Sequence, residues 1–233
     1  MKVAVLYSGG KDSTHAIEYC RERNWDIKYL LSIKPSRTDC YLFHYATVEM
    51  TRETSKILGL DHIFVKCDIA DPVKEAKIVK EIITENPVDA VVLGGTGLQV
   101  TQLKSIQDVL LPYGIEVFAS HAEVDHEDAF RDLINKGYKV MVTQVAGEGI
   151  SKWLGKIIDK DNFDEMKADS KKYGFHIGFE GGPADTLVLD CPFFSKKIDV
   201  LKYHVNKDGE YAGHVVIDNF NIVDKAEIKE VKE

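Results

Sequence analysis

Two glycines, a lysine, an aspartate and two serines stand together near the start of the chain, between an apolar run and a helical pattern. The segment reads Ser8-Gly9-Gly10-Lys11-Asp12-Ser13. Glycines let the backbone approach a bound phosphate closely, and serine hydroxyls and the N–H groups of a helix start donate hydrogen bonds to it. A lysine at this place adds a charge that a phosphate neutralises. The segment therefore predicts an anion-binding loop.

The spacing of this loop differs from the two common nucleotide-binding patterns. GxxxxGK[ST] needs four residues between its first glycine and its Gly-Lys pair, and GxGxxG needs a different order of glycines. The alternative to an anion site is a strand-to-helix turn that merely uses glycine, with Asp12 or Ser13 capping the helix. The combination SGGxDS directly after the first strand favours the anion site.

The elements that position the loop follow from the apolar pattern. Short β-branched runs alternate with longer amphipathic runs, which is typical of βαβ units and an open parallel sheet with helices on both faces. Strands are predicted over 2–7, 27–33, 61–66, 88–93 and 116–119, and helices over 11–23, 47–58, 72–85 and 98–110. Ligands bind such sheets beyond the carboxyl ends of the strands. If the first and fourth strands are neighbours, Gly94 and Gly95 face the same crevice as the loop.

The second half of the chain is less regular. Helices are predicted over 125–136, 152–158 and 161–173, a strand over 138–145, and a hairpin with strands over 197–205 and 210–217. The hairpin turn is Asn206-Lys207-Asp208-Gly209. We expect a nucleotide-binding α/β domain over residues 1–120 and a smaller α+β substrate-binding domain over 121–233.

Composition limits the class of protein. The 233 residues carry a formal net charge of −8, which argues against a protein that coats nucleic acid. No apolar run reaches the about 18 residues of a membrane span, and the start of the chain lacks a signal-peptide pattern, so we expect no membrane partner and a cytoplasmic location. Cys20, Cys40, Cys67 and Cys191 are scattered, which predicts free thiols. The sequence leaves open whether the protein forms a homo-oligomer.

Ser8–Ser13 resembles the PP-loop of the N-type ATP pyrophosphatases, which cleave ATP between the α and β phosphates. The resemblance implies a HUP-type (adenine nucleotide alpha hydrolase-like) sheet, adenylation of a substrate, and ATP and Mg²⁺ as cofactors. The implied ATP contacts are Tyr7, Ser8, Gly9, Gly10, Lys11, Asp12, Ser13, Gly94 and Gly95. Lys11 and Asp12 are catalytic candidates. Asp12 is also the candidate Mg²⁺ ligand, although a structural role at the helix start fits it equally.

Four further stretches resemble the diphthine–ammonia ligase branch of this family. They are CYLFHYATVEMTRETSKILGLD, VVLGGTGLQVTQ, VAGEGISKWLGKIID and GFEGGPADTLVLDCPFF, in the order of that branch. The resemblance implies adenylation of the diphthine carboxylate on elongation factor 2 and its amidation by ammonia to give diphthamide. The implied substrate-binding residues are Phe43, His44, Gln102, Gly181, Gly182 and Thr186.

Glu180 is the third catalytic candidate. A carboxylate there can bind a metal, hold ammonium or accept a proton from the amine, and the alternative is a glutamate that only closes a turn. His44 is open between a nucleotide contact and a structural role. His121 and His126 are expected at the surface near a strand end. Free ammonia is the expected nitrogen source, because no glutaminase pattern is recognisable.

The chain departs from the branch in the implied substrate region. The glutamate that follows Glu-Gly-Gly in the branch is replaced by Pro183, with Ala184 and Asp185 after it. Thr101 and Ser105 replace a tyrosine and an arginine, and Phe118-Ala119-Ser120 replaces Pro-Leu-Trp. Two alternatives therefore stay open: a related ATP pyrophosphatase that adenylates another small carboxylate or a tRNA base, and a regulatory ATP-binding HUP domain without enzymatic activity.

Overall fold

The first half of the chain forms a five-stranded parallel sheet. The computed structural model describes residues 1–36, 43–95, 100–121 and 124–225, without the side chains of 100–102. The strands are β1 (Lys2–Leu6), β2 (Asp26–Pro35), β3 (His62–Cys67), β4 (Ala90–Leu93) and β5 (Glu116–Ala119), and the helices are α1 (Lys11–Glu22), α2 (Thr51–Leu58), α3 (Pro72–Glu85) and α4 (Val100–Leu110). The order is β3-β2-β1-β4-β5. This confirms the α/β fold with an open parallel sheet, and β1 and β4 are neighbours.

The central strands are apolar because both of their faces are covered. Side chains alternate across a strand, and those of β4 alternate between two apolar clusters. Ala90 and Val92 belong to one cluster, and Val91 and Leu93 belong to the other. The continuous apolar run predicted a doubly covered strand for this reason.

The helix boundaries follow local signals. α3 begins at Pro72, and the Asp71 side chain accepts a hydrogen bond from the Lys74 N–H at 2.9 Å, as expected for a capping residue. The helix predicted from residue 47 begins later. Thr47 is left-handed with φ +58°, and a 3₁₀ turn over Val48–Met50 precedes α2.

The second half forms an antiparallel sheet with two helices. Its strands are β6 (Lys139–Ala146), β7 (Ile157–Ile158), β8 (Ala184–Asp190), β9 (Lys196–Lys207) and β10 (Ala212–Asp224), and its helices are α5 (His126–Asn135) and α6 (Phe163–Tyr173). The order is β7-β6-β10-β9, and β8 also pairs with β6. The hairpin prediction is confirmed by β9 and β10, which are longer than predicted.

The helix predicted over 152–158 is wrong. A 3₁₀ turn over Ser151–Trp153 and the short strand β7 occupy this segment. Gly155 between them is left-handed with φ +78°, which ends any helix there. A β-carbon on Gly155 would lie 2.6 Å from the Tyr203 hydroxyl oxygen, so the hairpin packs directly on this bend.

The two halves share one apolar core. A single cluster contains Val5 and Ile17 from the first half and Phe130 and Leu187 from the second. The boundary at residue 120 therefore remains a prediction about domains that are packed together. Within the described part of the chain, no helix combines the length and the apolar character needed to cross a membrane.

Candidate functional site

A cleft opens where β1 and β4 end. Its walls come from the loop between β1 and α1, the glycine turn after β4, the segments around residues 43–44 and 178–180, and the start of β8. Twelve of the predicted site residues line it: Tyr7, Ser8, Gly10, Lys11, Asp12, Ser13, Phe43, His44, Gly94, Gly95, Glu180 and Thr186. The two glycine turns face one crevice, as predicted for neighbouring strands, and the second half of the chain adds Glu180 and Thr186 to the same site.

The loop between β1 and α1 is tied to β8. The backbone N–H of Lys11 donates to Thr186 Oγ1 at 3.1 Å, and the N–H of Val188 donates to the Gly9 carbonyl at 2.9 Å. The Ser8 and Ser13 hydroxyls are hydrogen-bonded to each other at 3.1 Å. The loop therefore presents the positive end of α1 to the cleft in a fixed shape, which suits a phosphate group.

Two glycines make this shape possible. Gly9 has φ +81°, a conformation that other residues rarely adopt. Gly94 packs on the first turn of α1, where a β-carbon would lie 2.5 Å from the Asp12 carbonyl carbon and the Ser13 nitrogen. The turn after β4 thus rests directly on the loop.

Lys11 is buried, and its ammonium group is paired inside the protein. Nζ lies 2.6 Å from Asp12 Oδ2 and 2.8 Å from the Gly178 carbonyl oxygen. It also faces the rings of Phe130 and Phe179, at 5.2 and 5.5 Å from their centroids. Lys11 therefore has to exchange contacts before it can pair with a phosphate.

The Asp12 carboxylate is ionised at neutral pH. Burial favours the neutral acid, but the adjacent Lys11 ammonium holds the pKa of Asp12 below its usual value. No group of three or more histidine, cysteine, aspartate or glutamate side chains is arranged to hold a metal in the described ranges. The site fits a Mg²⁺ ion that would be held by the Asp12 carboxylate together with phosphate oxygens and water, a set of ligands that Mg²⁺ commonly takes.

One wall of the cleft is apolar. It contains Leu6, Leu31, Ile33, Phe43 and Leu93. Of these, only Phe43 was predicted as a site residue, because apolar residues at strand ends read equally well as core. Such a wall beside an anion-binding loop suits the adenine ring of a nucleotide.

His44 and Asp185 meet across the cleft. His44 Nδ1 and Asp185 Oδ1 form an ion pair. The Asp185 carboxylate raises the pKa of His44, although burial acts in the opposite direction. Asp185 is a site residue that the sequence identified only as a departure from the branch pattern.

Glu180 lies in the cleft beside two histidines. Its Oε1 is 3.5 Å from His126 Nδ1, and its backbone N–H donates to His176 Nδ1 at 3.4 Å. Gly181 and Gly182 do not line the cleft; both have φ near +80° and form the turn that follows Glu180. Their role as substrate contacts therefore remains a prediction.

The surface positions expected for His121 and His126 are wrong. His121 is 4% exposed, its backbone N–H donates to the Gly95 carbonyl at 2.8 Å, and the centroid of its ring lies 3.9 Å from that of the His15 ring. Burial lowers the pKa of His121 to about 4, so the ring is neutral at pH 7. The His126 side chain is 13% exposed and packs on His176. The first residues after β5 turn inward under α1, which the local sequence does not reveal.

Two predicted contacts lie outside this arrangement. Gly9 is part of the loop but does not line the cleft, because its carbonyl is turned toward β8. Gln102 belongs to α4, and its side chain is outside the described residues.

Known protein families and curated proteins resemble this chain over both halves that form the cleft. The family model of the diphthamide synthase N-terminal domain matches residues 1–117, and the family model of the diphthamide synthase C-terminal domain matches residues 125–229. A human protein named diphthine–ammonia ligase is 30% identical over 226 residues, covering 86% of this chain and 83% of its own length. A Danio rerio protein of that name is 26% identical over 256 residues, covering 98% and 99%. The chain therefore belongs to the diphthamide synthase family.

Proposed function

We propose that this protein is an ATP-dependent ligase that converts the diphthine carboxylate of elongation factor 2 into the amide of diphthamide. The observation that carries the proposal is the cleft in which the loop between β1 and α1 meets the start of β8. Family membership and the name shared by the curated relatives support the same reaction. The acceptor protein and ammonia are the proposed partners, and the cytoplasm is the proposed location.

Ammonia can form an amide with the diphthine carboxylate only if a carboxylate oxygen is first converted into a better leaving group than oxide. A carboxylate oxygen attacks the α-phosphate of ATP, the bond between the α-phosphate and the β-phosphate oxygen breaks, and pyrophosphate leaves. Ammonia then attacks the acyl carbon, AMP leaves, and the nitrogen loses a proton to give the amide. The protein has to position these groups and neutralise the charge that moves onto pyrophosphate.

The loop supplies groups for the departing pyrophosphate. The start of α1 and the hydroxyls of Ser8 and Ser13 offer hydrogen bonds, and Lys11 offers a charge once it leaves Asp12. Asp12 would hold Mg²⁺, which supplies further positive charge at the phosphates when bound. The apolar wall at Leu31 and Ile33 would take the adenine ring.

The acceptor side is formed by the second half of the chain. Glu180 lies in the cleft next to the loop, where a carboxylate can attract ammonium or accept the proton that the amine releases. Asp185 and Thr186 of β8 also line the cleft, and His44 from the first half pairs with Asp185 there. Asp185 lies where the sequence departs from the branch pattern. The choice of acceptor is therefore the part of the proposal that depends most on Asp185 and its neighbours in the cleft.

A direct assay tests the proposal. The protein is incubated with ATP, Mg²⁺, ammonium and diphthine-bearing elongation factor 2, and nucleotides, pyrophosphate and the mass of the factor are measured. We expect equal amounts of AMP, pyrophosphate and amide, and a loss of turnover in Lys11→Ala but not in the surface control Lys28→Ala. ADP as product would reject the pyrophosphatase chemistry. AMP formed only with another acceptor would favour the related-enzyme alternative.

A further inference from the structure

Asp12 is paired with Lys11, and it would lose this partner when Lys11 binds a phosphate. Its Oδ2 pairs with Lys11 Nζ at 2.6 Å, and the Asp12 side chain is 36% exposed to the cleft. When a phosphate group takes the Lys11 ammonium, the Asp12 carboxylate loses this contact. Asp12 would then hold Mg²⁺, and a hydrogen-bond donor to its carboxylate would keep this ligand in one orientation.

His121 is placed to supply that donor. Its Nε2 is buried without a hydrogen-bond partner among the described residues, and it lies 3.9 Å from Asp12 Oδ1. That distance is about 1 Å longer than a hydrogen bond, so a small rotation of the Asp12 side chain closes it. The oxygen that faces His121 is the one that Lys11 does not use.

The frame around this pair is rigid, so the side chain of Asp12 is the part that moves. The backbone N–H of His121 donates to the Gly95 carbonyl, and the His121 ring packs on His15. Gly94 packs beside the backbone of Asp12, where even a β-carbon would lie 2.5 Å from the Asp12 carbonyl carbon, so little room is left for the main chain to shift in that direction. The other histidine pair near the loop faces Glu180 instead, through His126.

We propose that His121 is a positioning residue for Asp12: when Lys11 turns to the phosphates of a nucleoside triphosphate, His121 Nε2 donates a hydrogen bond to Asp12 Oδ1 and keeps that carboxylate aimed at the loop. This change of partner at Asp12 rests on the proposed function in one respect: a nucleotide phosphate has to draw Lys11 away from Asp12. His121 itself does not line the cleft. It therefore affects turnover through Asp12 alone.

The imidazole nitrogen can be observed directly. The full-length protein labelled with ¹⁵N-histidine is studied by NMR, and the His121 Nε2 signal is assigned by its loss in His121→Gln. We expect this signal to shift, and its N–H proton to exchange more slowly, when Mg²⁺ and uncleavable α,β-methylene-ATP are added. Lys11→Met should produce a similar shift without nucleotide, since Asp12 has then lost its lysine partner.

Kinetics separate positioning from a merely structural role. His121→Phe keeps a ring but removes the donor, so we expect kcat for AMP formation to fall about 10- to 100-fold, with KM for ATP changed less than about 3-fold. His121→Gln restores a donor at a similar reach and should recover most of that loss. Equal thermal midpoints of the two variants control for folding.

Two results would overturn the proposal. One is an unchanged His121 Nε2 signal in both Lys11→Met and the nucleotide-bound protein. The other is an equal loss of kcat in His121→Phe and His121→Gln. Failure of the proposed function is distinguishable, because the wild-type protein would then make no amide while the NMR response to Lys11→Met would still be measured.

Discussion

His44 and Asp185 illustrate what single residues reveal before a structure is known. The resemblance implied that His44 binds substrate, with a structural role as the alternative, and His44 does line the cleft. Its pairing with Asp185, 141 residues later in the chain, follows from no local pattern. Lys11 is similar: its type and position predicted an anion contact, whereas its cage of Phe130, Phe179 and the Gly178 carbonyl is assembled by residues from the other half.

The His44–Asp185 pair predicts a pH dependence of stability. The folded pKa of His44 lies above its usual 6.5, so the pair stabilises the fold fully below about pH 6.5 and loses this effect as the pH rises through the folded value. We expect the difference in unfolding free energy between wild type and His44→Gln to be largest near pH 6 and to vanish in alkali. Its size should stay within about 1 kcal/mol, because the His44 side chain is 41% exposed and solvent screens the pair.

Urea unfolding at several pH values measures this difference. Asp185→Asn should reproduce the loss at low pH, and the double variant should add little to either single one, since both remove one interaction. A difference that grows with rising pH would show that Asp185 does not set the charge of His44.

At the level of elements, the prediction succeeded where local signals and burial agree. The alternation of apolar runs located all five strands of the parallel sheet, and Asp71-Pro72 located the start of α3. It failed at 152–158, because Gly155 is left-handed and the bend there is set by tertiary packing against Tyr203 of the hairpin. The strand β8 was left unassigned, because glycines on its N-terminal side obscure a short apolar run.

The contact between the turn after β4 and α1 predicts a large effect for Gly94→Ala. The new methyl group would lie 2.5 Å from backbone atoms of Asp12 and Ser13, so either the turn or the helix start has to move. We expect a loss of stability of about 1–3 kcal/mol, the usual range for overpacking, together with weaker nucleotide binding. Urea unfolding and calorimetry with α,β-methylene-ATP measure the two effects.

Gly114→Ala is the matched control. Gly114 is left-handed with φ +71° but has open space around it, so only backbone strain of about 1 kcal/mol is added, far from the loop. Nucleotide affinity should be unchanged in this variant. If Gly94→Ala bound nucleotide as the wild type does, the turn after β4 would not support the loop.

At the scale of the whole molecule, the site exists because the two halves share one apolar core and because the loop between β1 and α1 is hydrogen-bonded to β8. The order of motifs along the chain predicted the family and both halves of the cleft. It did not predict that β8 holds the loop in place, because hydrogen bonds between residues 175 positions apart depend on packing of the complete fold. The halves are therefore not independent binding units: the anion loop from the first is shaped by a strand from the second.

Thr186 tests this coupling, because its hydroxyl joins the two halves at the loop. Thr186→Val keeps the shape of the side chain but leaves the Lys11 N–H without its acceptor, which costs about 1–2 kcal/mol in a partly buried place. The loop then loses one of its two ties to β8, and we expect affinity for α,β-methylene-ATP to fall about 5- to 30-fold by calorimetry. Thr186→Ser retains the acceptor and should bind within about 3-fold of wild type. Equal affinity in Thr186→Val and wild type would mean that the first half shapes the loop unaided, and that the second half serves the acceptor alone.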